Sequence, residues 1–306
     1  MKTPCQLSIL IAAHNSERFL AATLESIIAS LGDSLEKAEI IIVNDASTDS
    51  TQTIIEEYAR RLPQLSHVSA THRNVGKARN HAVRLASGDY ILMVDSDDRL
   101  LPGALHERLG TLSVHQPGIL LSKIIEVREH TPEPQWQSAE PEELTQHQAI
   151  ERFLIHRDYQ AHFIGQFFSR ALLQAHTFPD FICYEDTWLF PLLLTQSQKT
   201  LFSDRGFYLY RKHATSLSSA IDEPKIACLI AATQQMDRVL PPHFSPLITC
   251  HWIDIANRYH DALRGTEQGA IVRERIGRTS LMQFLLHPKV RLSYKRKMLK
   301  VRKRGL

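Results

Sequence analysis

Tyr90-Ile91-Leu92-Met93-Val94-Asp95-Ser96-Asp97-Asp98 changes character at a single bond: an unbroken apolar run gives way to three carboxylates within four residues. A strand apolar on both faces has no side to show water, so this one is predicted to lie inside a parallel sheet covered by helices. Carboxylates are costly to bury without a compensating cation, and acids crowded where such a strand stops mark the rim of a site. The same pattern recurs upstream. Leu7-Ser8-Ile9-Leu10-Ile11-Ala12 leads to Phe19, Leu20, Leu24, Ile27, Ile28 and Leu31 at helical spacing, with Asn15 or Ser16 as the predicted N-cap. Glu39-Ile40-Ile41-Ile42-Val43 ends at Asn44-Asp45, after which Asp49 and Gln52 read as a capping box opening a helix through Ile54, Ile55, Tyr58 and Leu62. A shorter strand near His67 to Thr71, a turn at Gly76, a helix through Ala78, Ala82, Val83 and Leu85, and Gly88 as a C-cap complete the alternation.

Strands and helices alternating in this way predict an α/β, Rossmann-like fold with a mostly parallel central sheet flanked by helices. Ligands in such sheets bind beyond the carboxyl ends of the strands, where Asp45 and Asp95 both fall. Thr131 to Glu143, with three prolines and four glutamates, predicts an exposed insertion. Helical and strand patterns then resume to about Ser219, and 222–306 reads as helices. The expected organisation is a catalytic domain over 1–220, its nucleotide half about 1–100 and its second half about 101–220, followed by a helical C-terminal extension over 221–306.

With 306 residues and 43% hydrophobic content, the chain can bury a substantial core. No window reaches the roughly 20 apolar residues of a membrane span, and Met1-Lys2-Thr3-Pro4 leads into a strand instead of a signal-peptide core, so a cytoplasmic location is expected. Cys5, Cys183, Cys228 and Cys250 lack metal-ligand spacing and are expected to be buried free thiols. Lys289 to Arg304 carries nine Lys and Arg and no acid; without it the formal charge of +3 becomes −6. An acidic body with a basic tail does not suit nucleic acid, which calls for cations spread over a face and interleaved with stacking aromatics. The tail interleaves Val290, Leu292, Met298, Leu299 and Val301 with its cations, a pattern suited to an anionic membrane surface.

Alternate side chains of an extended segment share a face, so Asp95 and Asp97 are expected to converge on one hard divalent ion, Mn²⁺ or Mg²⁺, with Ser96 pointing away. Such an ion bridges diphosphate oxygens and neutralises charge on a departing nucleoside diphosphate. An isolated acidic turn would look the same. Asp45 can accept a hydrogen bond from the imide of uracil, or make an Asx turn. His72-Arg73-Asn74-Val75-Gly76-Lys77-Ala78-Arg79-Asn80 sets backbone N–H groups and cations at a loop-to-helix junction, which suits a phosphate or simply caps a turn.

Together these segments resemble the family-2 glycosyltransferases of the GT-A fold, over about residues 7–219. Ala12-Ala13-His14-Asn15 stands where that family has Pro-x-Tyr-Asn, and Asp45-Ala46-Ser47-Thr48-Asp49 stands for its Asp-Gly-Ser-x-Asp. Asn74 to Asn80 looks like its Asn-x-Gly segment, and Asp95-Ser96-Asp97-Asp98 matches its metal motif. The resemblance implies a nucleotide-sugar donor, a UDP-sugar favoured, held by Ala13, His14, Asn15, Asp45, Asn74, Lys77, Arg79, Asp95 and Ser96. It also implies that Asp186, within Tyr184-Glu185-Asp186-Thr187-Trp188, is the general base of an inverting transfer to an acceptor hydroxyl, with Glu185 as the alternative. In Tyr208-Leu209-Tyr210-Arg211-Lys212-His213, His213 is by the same likeness a third metal ligand. The expected acceptor is a glycan or a lipid-linked acceptor in surface-polysaccharide synthesis, at the inner face of the cell membrane. Of the rival classes, a nucleotidyltransferase would carry a glycine-rich basic loop after the first strand, and Ala12 to Asn15 is not one. A decayed, purely binding relative would have lost Asp95, Asp97 or Asp186.

Overall fold

The computed structural model describes residues 5–128, 132, 134–212 and 222–304. Its elements are β1 (Leu7–Ala13), α1 (Leu20–Leu31), β2 (Ala38–Asp45), α2 (Thr51–Arg61), β3 (Leu65–Ala70), α3 (Val75–Leu85), β4 (Tyr90–Met93), β5 (Arg99–Leu100), α4 (Ala104–His115) and β6 (Ile119–Val127). There follow β7 (Glu142–Leu144), α5 (Gln146–Leu154), β8 (Phe167–Ser169), α6 (Arg170–Gln174), α7 (Glu185–Gln196), β9 (Thr200–Arg211), α8 (Glu223–Val239), α9 (Ser245–Arg258), α10 (His260–Leu263), α11 (Glu267–Arg278), α12 (Leu281–Leu286) and α13 (Leu292–Arg304).

The strands join in the order β3-β2-β1-β4-β8-β6-β9-β5, with β7 added on β9. The four at the β3 end are mutually parallel, as their continuous apolar character predicts. Beyond them β8 runs antiparallel to both β4 and β6, and β5 and β7 run antiparallel to β9. These three strands are two or three residues long, too short to carry a periodicity from which direction could be read. The parallel character is therefore complete in the first half and mixed in the second. β1 lies between β2 and β4, so Asp45 and Asp95 end strands that flank β1 and are not neighbours.

Both sheet faces are buried, as continuous apolar strands require. Ile9 and Ile11 pack with α1 and α4 residues such as Leu24, Ile27 and Leu105, while Leu10, Ile41 and Val43 pack with Ala78, Ala82 and Phe190. The second cluster runs without a break into the C-terminal helices through Ile230, Trp252, Ile253 and Met298. A polar clamp holds those helices together: Arg275 of α11 donates to Asp237 of α8 (Nε to Oδ2, 2.7 Å) and to Ser245 of α9 (3.1 Å), and Trp252 Nε1 donates to Asp237 Oδ2 (2.8 Å).

Several expected caps are replaced by longer-range contacts. Ser16 does not cap α1, whose N-cap is Phe19; its hydroxyl pairs with Ser96 instead. Asp49 accepts from Thr51 N (3.0 Å) and from Glu17 N (3.1 Å), tying two loops, while Gln52 accepts from Asn44 Nδ2 (2.8 Å). Gly88 is not a C-cap, since α3 closes at Ala86. Its role is close approach: a Cβ there would lie 2.6 Å from Ser8 N and 2.7 Å from Leu7 C on β1. Among the cysteines Cys250 alone is buried; Cys5, Cys183 and Cys228 are half-buried, and all four are free. Glu142 and Glu143, expected in a loop, belong with Leu144 to the edge strand β7.

Candidate active site

Four chain segments meet at the carboxyl ends of β1, β2 and β4. Asp95 to Asp98 form a turn closed by Asp98 N donating to Asp95 O (3.2 Å), not the extended segment the alternation argument assumed. The hydroxyl of Ser96, inside that turn, lies 2.6 Å from that of Ser16 in the loop after β1. Thr23 of α1 braces the turn by donating to Ser96 O (3.0 Å) and Asp98 O (2.8 Å). Asp95 and Asp97 stay half-exposed above the turn, and Asp98 is buried beneath it.

Asp98 is held by Tyr208, whose O–H donates to Oδ2 at 2.7 Å, and by Arg211 N donating to Oδ1 at 2.7 Å. Burial first, and then the charge of Asp95, push the Asp98 carboxyl up to about 8 against those two hydrogen bonds. The Tyr208 hydroxyl also accepts from Asp95 N (3.0 Å), so one fully buried phenol spans the turn. Gly165 makes room for it: at φ +67 it takes a left-handed conformation, and a Cβ would stand 2.8 Å from the Tyr208 ring. The segment around Tyr208 stood out in the sequence for His213, which lies outside the described residues; nothing local distinguishes Tyr208 from Tyr210.

Arg79 is the centre of the site. It sits on α3 with 7% of its surface exposed, and its Nη2 donates to Asp95 Oδ1 (3.2 Å) while Nη1 donates to Glu185 Oε1 (3.0 Å) and Asp186 Oδ1 (2.8 Å). The resemblance places it among the residues that hold the donor; its guanidinium bonds three carboxylates from two distant segments, Asp95 after β4 and Glu185 and Asp186 on α7. Burial disfavours its charged form, but Asp186, Asp95 and Glu185 more than offset this and hold the proton more tightly than usual. Glu185 and Asp186 open α7 behind Tyr184, a non-glycine residue held at φ +65. Burial, and then its neighbour Asp186, raise Glu185 to about 7. Burial also raises Asp186, opposed by Arg79. Of the two, the Asp186 side chain is the more open, at 19% against 10%.

The opposite wall is built around Asp45, which is 5% exposed and accepts from Arg73 N (Oδ1, 2.9 Å) and Asn74 N (Oδ2, 3.0 Å). His14 Nδ1 lies 2.7 Å from Asp45 O, and Asn15 Oδ1 accepts from Thr48 N (2.8 Å), so the loops after β1 and β2 are stitched together. Ala13 is buried at the end of β1, whereas His14 and Asn15 are exposed. Asn74 caps α3 by accepting from Lys77 N (2.9 Å) and donates to Phe181 O (2.8 Å) on the approach to Glu185. Lys77, expected to face the donor, pairs with Asp180 (2.6 Å) at an exposed rim. Ala46 adopts φ +57, the conformation a glycine would take without cost. Ala46→Gly is accordingly expected to stabilise the chain by about 1 kcal/mol in a denaturant melt; a loss of stability would mean the side chain contributes packing that outweighs the backbone strain.

Asp95 and Asp97 are hard oxygen donors, both half-exposed, and one oxygen of Asp95 is already engaged by Arg79. Among the described residues no three His, Cys, Asp or Glu side chains form a ready cage. Two carboxylates completed by phosphate oxygens are nonetheless an ordinary arrangement for Mg²⁺, which fits this turn.

The glycosyl transferase family 2 model matches residues 8–176, more than half of the chain. The chain belongs to that family. The family-2 span takes in Asp45, Asn74, Arg79 and Asp95 to Asp97, and ends before Glu185 and Asp186. Among curated relatives, a putative glycosyltransferase EpsH of Bacillus subtilis is 34% identical over 111 residues, 36% of this chain and 31% of that protein. The Staphylococcus aureus poly(ribitol-phosphate) beta-N-acetylglucosaminyltransferase TarS is 31% identical over 120 residues, 39% of this chain and 21% of its own length. The matched segment thus spans under a third of either relative. The crystal structure of TarS 1–349 in complex with UDP-GlcNAc superposes with TM-score 0.69 at 21% identity, over 98% of this chain and 92% of that one. Mannosyltransferase PcManGT from Pyrobaculum calidifontis, in complex with GDP-Man and Mn²⁺, superposes at 0.54 and 15% identity over 99% and 88%. Both show the shared GT-A fold, including the helical C-terminal region.

Proposed function

We propose that this chain transfers a sugar, hexosyl or N-acetylhexosaminyl, from a nucleotide-sugar to the hydroxyl of a glycan or lipid-linked acceptor by single displacement with inversion. The observation that carries this reading is the Arg79 cluster, in which one buried guanidinium joins Asp95 of the metal motif to Asp186. Asp186, desolvated and the more open of the α7 acids, takes the proton from the attacking hydroxyl as its oxygen bonds to the anomeric carbon. Asp45 and the loops carrying Ala13, His14, Asn15 and Asn74 receive the nucleotide, and the UDP-GlcNAc complex of TarS favours a UDP-sugar. Mn²⁺ or Mg²⁺ held by Asp95 and Asp97, with His213 as a third ligand, would supply charge neutralisation for the departing diphosphate. Work on surface polysaccharide, done at the inner face of the cell membrane with 289–304 against the lipid, completes the proposal. Among the described residues no helix is long and apolar enough to cross a membrane.

A panel of nucleotide-sugars with Mn²⁺, followed by thermal melting and donor hydrolysis, tests the donor half. At least one UDP-sugar should raise the melting temperature only when metal is present, and Asp97→Ala should remove that dependence. A panel in which no donor responds to metal would sink the proposal.

A further inference from the structure

Among the described residues, four of the seven exposed large apolar side chains, Met282 (69%), Leu286 (74%), Leu292 (62%) and Leu299 (49%), fall on α12 and α13, so the exposed grease is concentrated and not scattered. The structure divides the basic tail in two. Val290 and Met298 are buried in the core, with Tyr294 and Val301 packed against it, so of the five apolar tail residues read as lipid-facing, Val290, Met298 and Val301 face inward. Four cations also turn inward: Lys289 to Glu151 (2.9 Å), Lys297 to Asp254 (2.8 Å), Arg291 to Ile155 O (3.0 Å), and Arg302 to the carbonyls that end α11, including Gly277 O (3.2 Å). Tyr294 O–H donates to Asp254 as well, which locks the inner face of α13 onto α9.

At 3.6 residues per turn, Leu292, Leu299, Arg296 and Lys303 share the opposite face, with Lys295 and Lys300 on its flanks. Leu292, Arg296, Leu299, Lys300 and Lys303 are exposed, and Lys295 is half-buried. Two leucines set among four cations, with no acid from 289 to 304, are complementary to an apolar layer beneath a negatively charged surface.

We propose that this outward face of α13 is a docking surface for anionic phospholipid, presented already folded. It gives the peripheral placement proposed above a specific face, and it rests on that reading for its purpose but not for its chemistry. Two copies of so basic a face repel each other, which disfavours self-association. The face carries no aromatic for bases to stack on, since Tyr294 is turned inward, which disfavours a nucleic acid. Because α13 packs on α9, α9 on α8, and α8 on α7, the helix that opens with Glu185 and Asp186 stands at a set orientation to the lipid.

Cosedimentation of the full chain with phosphatidylcholine vesicles, alone or with about 30% phosphatidylglycerol in roughly 0.1 M salt, tests this. Wild type should sediment only with the anionic vesicles. Arg296→Gln with Lys303→Gln should weaken partition about thirtyfold, the ratio that ~2 kcal/mol represents, and flatten its salt dependence. Leu292→Ser with Leu299→Ser should weaken it on the order of tenfold, while donor-induced thermal shifts stay as in wild type. Binding to neutral vesicles as strong as to anionic ones, or vesicle binding unchanged in both double variants, overturns the proposal. So does loss of a dimer in the leucine variant without loss of vesicle binding, or tighter binding to a single-stranded oligonucleotide than to anionic vesicles. Intact lipid binding with no transfer to any acceptor would count against the proposed reaction and leave this surface standing.

Discussion

Asp186→Asn is expected to fold, to bind donor with unchanged affinity, and to transfer sugar about a thousandfold more slowly, within the range that general-base catalysis contributes. Asparagine keeps the shape and an oxygen that accepts from Arg79 Nη1 at 2.8 Å, and gives up only the longer bond, 3.4 Å, that Asp186 Oδ2 accepts from Phe163 N. It cannot take a proton from an incoming hydroxyl. The comparison that assigns the role is Glu185→Gln, made at the less open neighbour, which should lose less turnover. Donor hydrolysis and transfer, measured side by side, give the result. Retained transfer in Asp186→Asn, or a larger loss in Glu185→Gln, would move the base.

Arg79→Met is expected to cost about 3–5 kcal/mol in a denaturant melt, because removing one partner of a buried ion cluster leaves the others uncompensated. Here the others are three carboxylates, Asp95, Glu185 and Asp186, two of them only 10% and 19% exposed. Arg79→Lys keeps the charge but not the planar fork that reaches two elements at once, so stability should return in part while turnover does not. Combining Arg79→Met with Asp186→Asn should recover some of the lost stability, since one of the stranded charges is then gone. An Arg79→Met chain melting within about 1 kcal/mol of wild type would show that solvent already satisfies those carboxylates, against their burial.

The unbroken apolar runs of β1, β2 and β4 determined the parallel half of the sheet, because a strand with no polar face can only lie between two covered faces. The acids that end β2 and β4 marked the carboxyl-end rim for the same local reason. Leu20, Leu24, Ile27 and Leu31, all buried on one side of α1, were equally legible as a helical stripe. The caps were not, since a hydroxyl or carboxylate within hydrogen-bond reach of two loops takes the more distant partner, as Ser16 does with Ser96.

The distant partners decided what the site is. Arg79 meets Asp95 across 16 positions and Glu185 and Asp186 across more than 100, and Tyr208 reaches Asp98 across 110. No periodicity or spacing encodes such a meeting; only packing α3 and α7 over the ends of the same sheet creates it. The tail divides in the same way. Its sequence determined that α13 is basic and amphipathic, but which side faces outward was decided by Asp254 on α9, a buried-side acid that captures Tyr294 and Lys297 and leaves Leu292 and Leu299 to the outside.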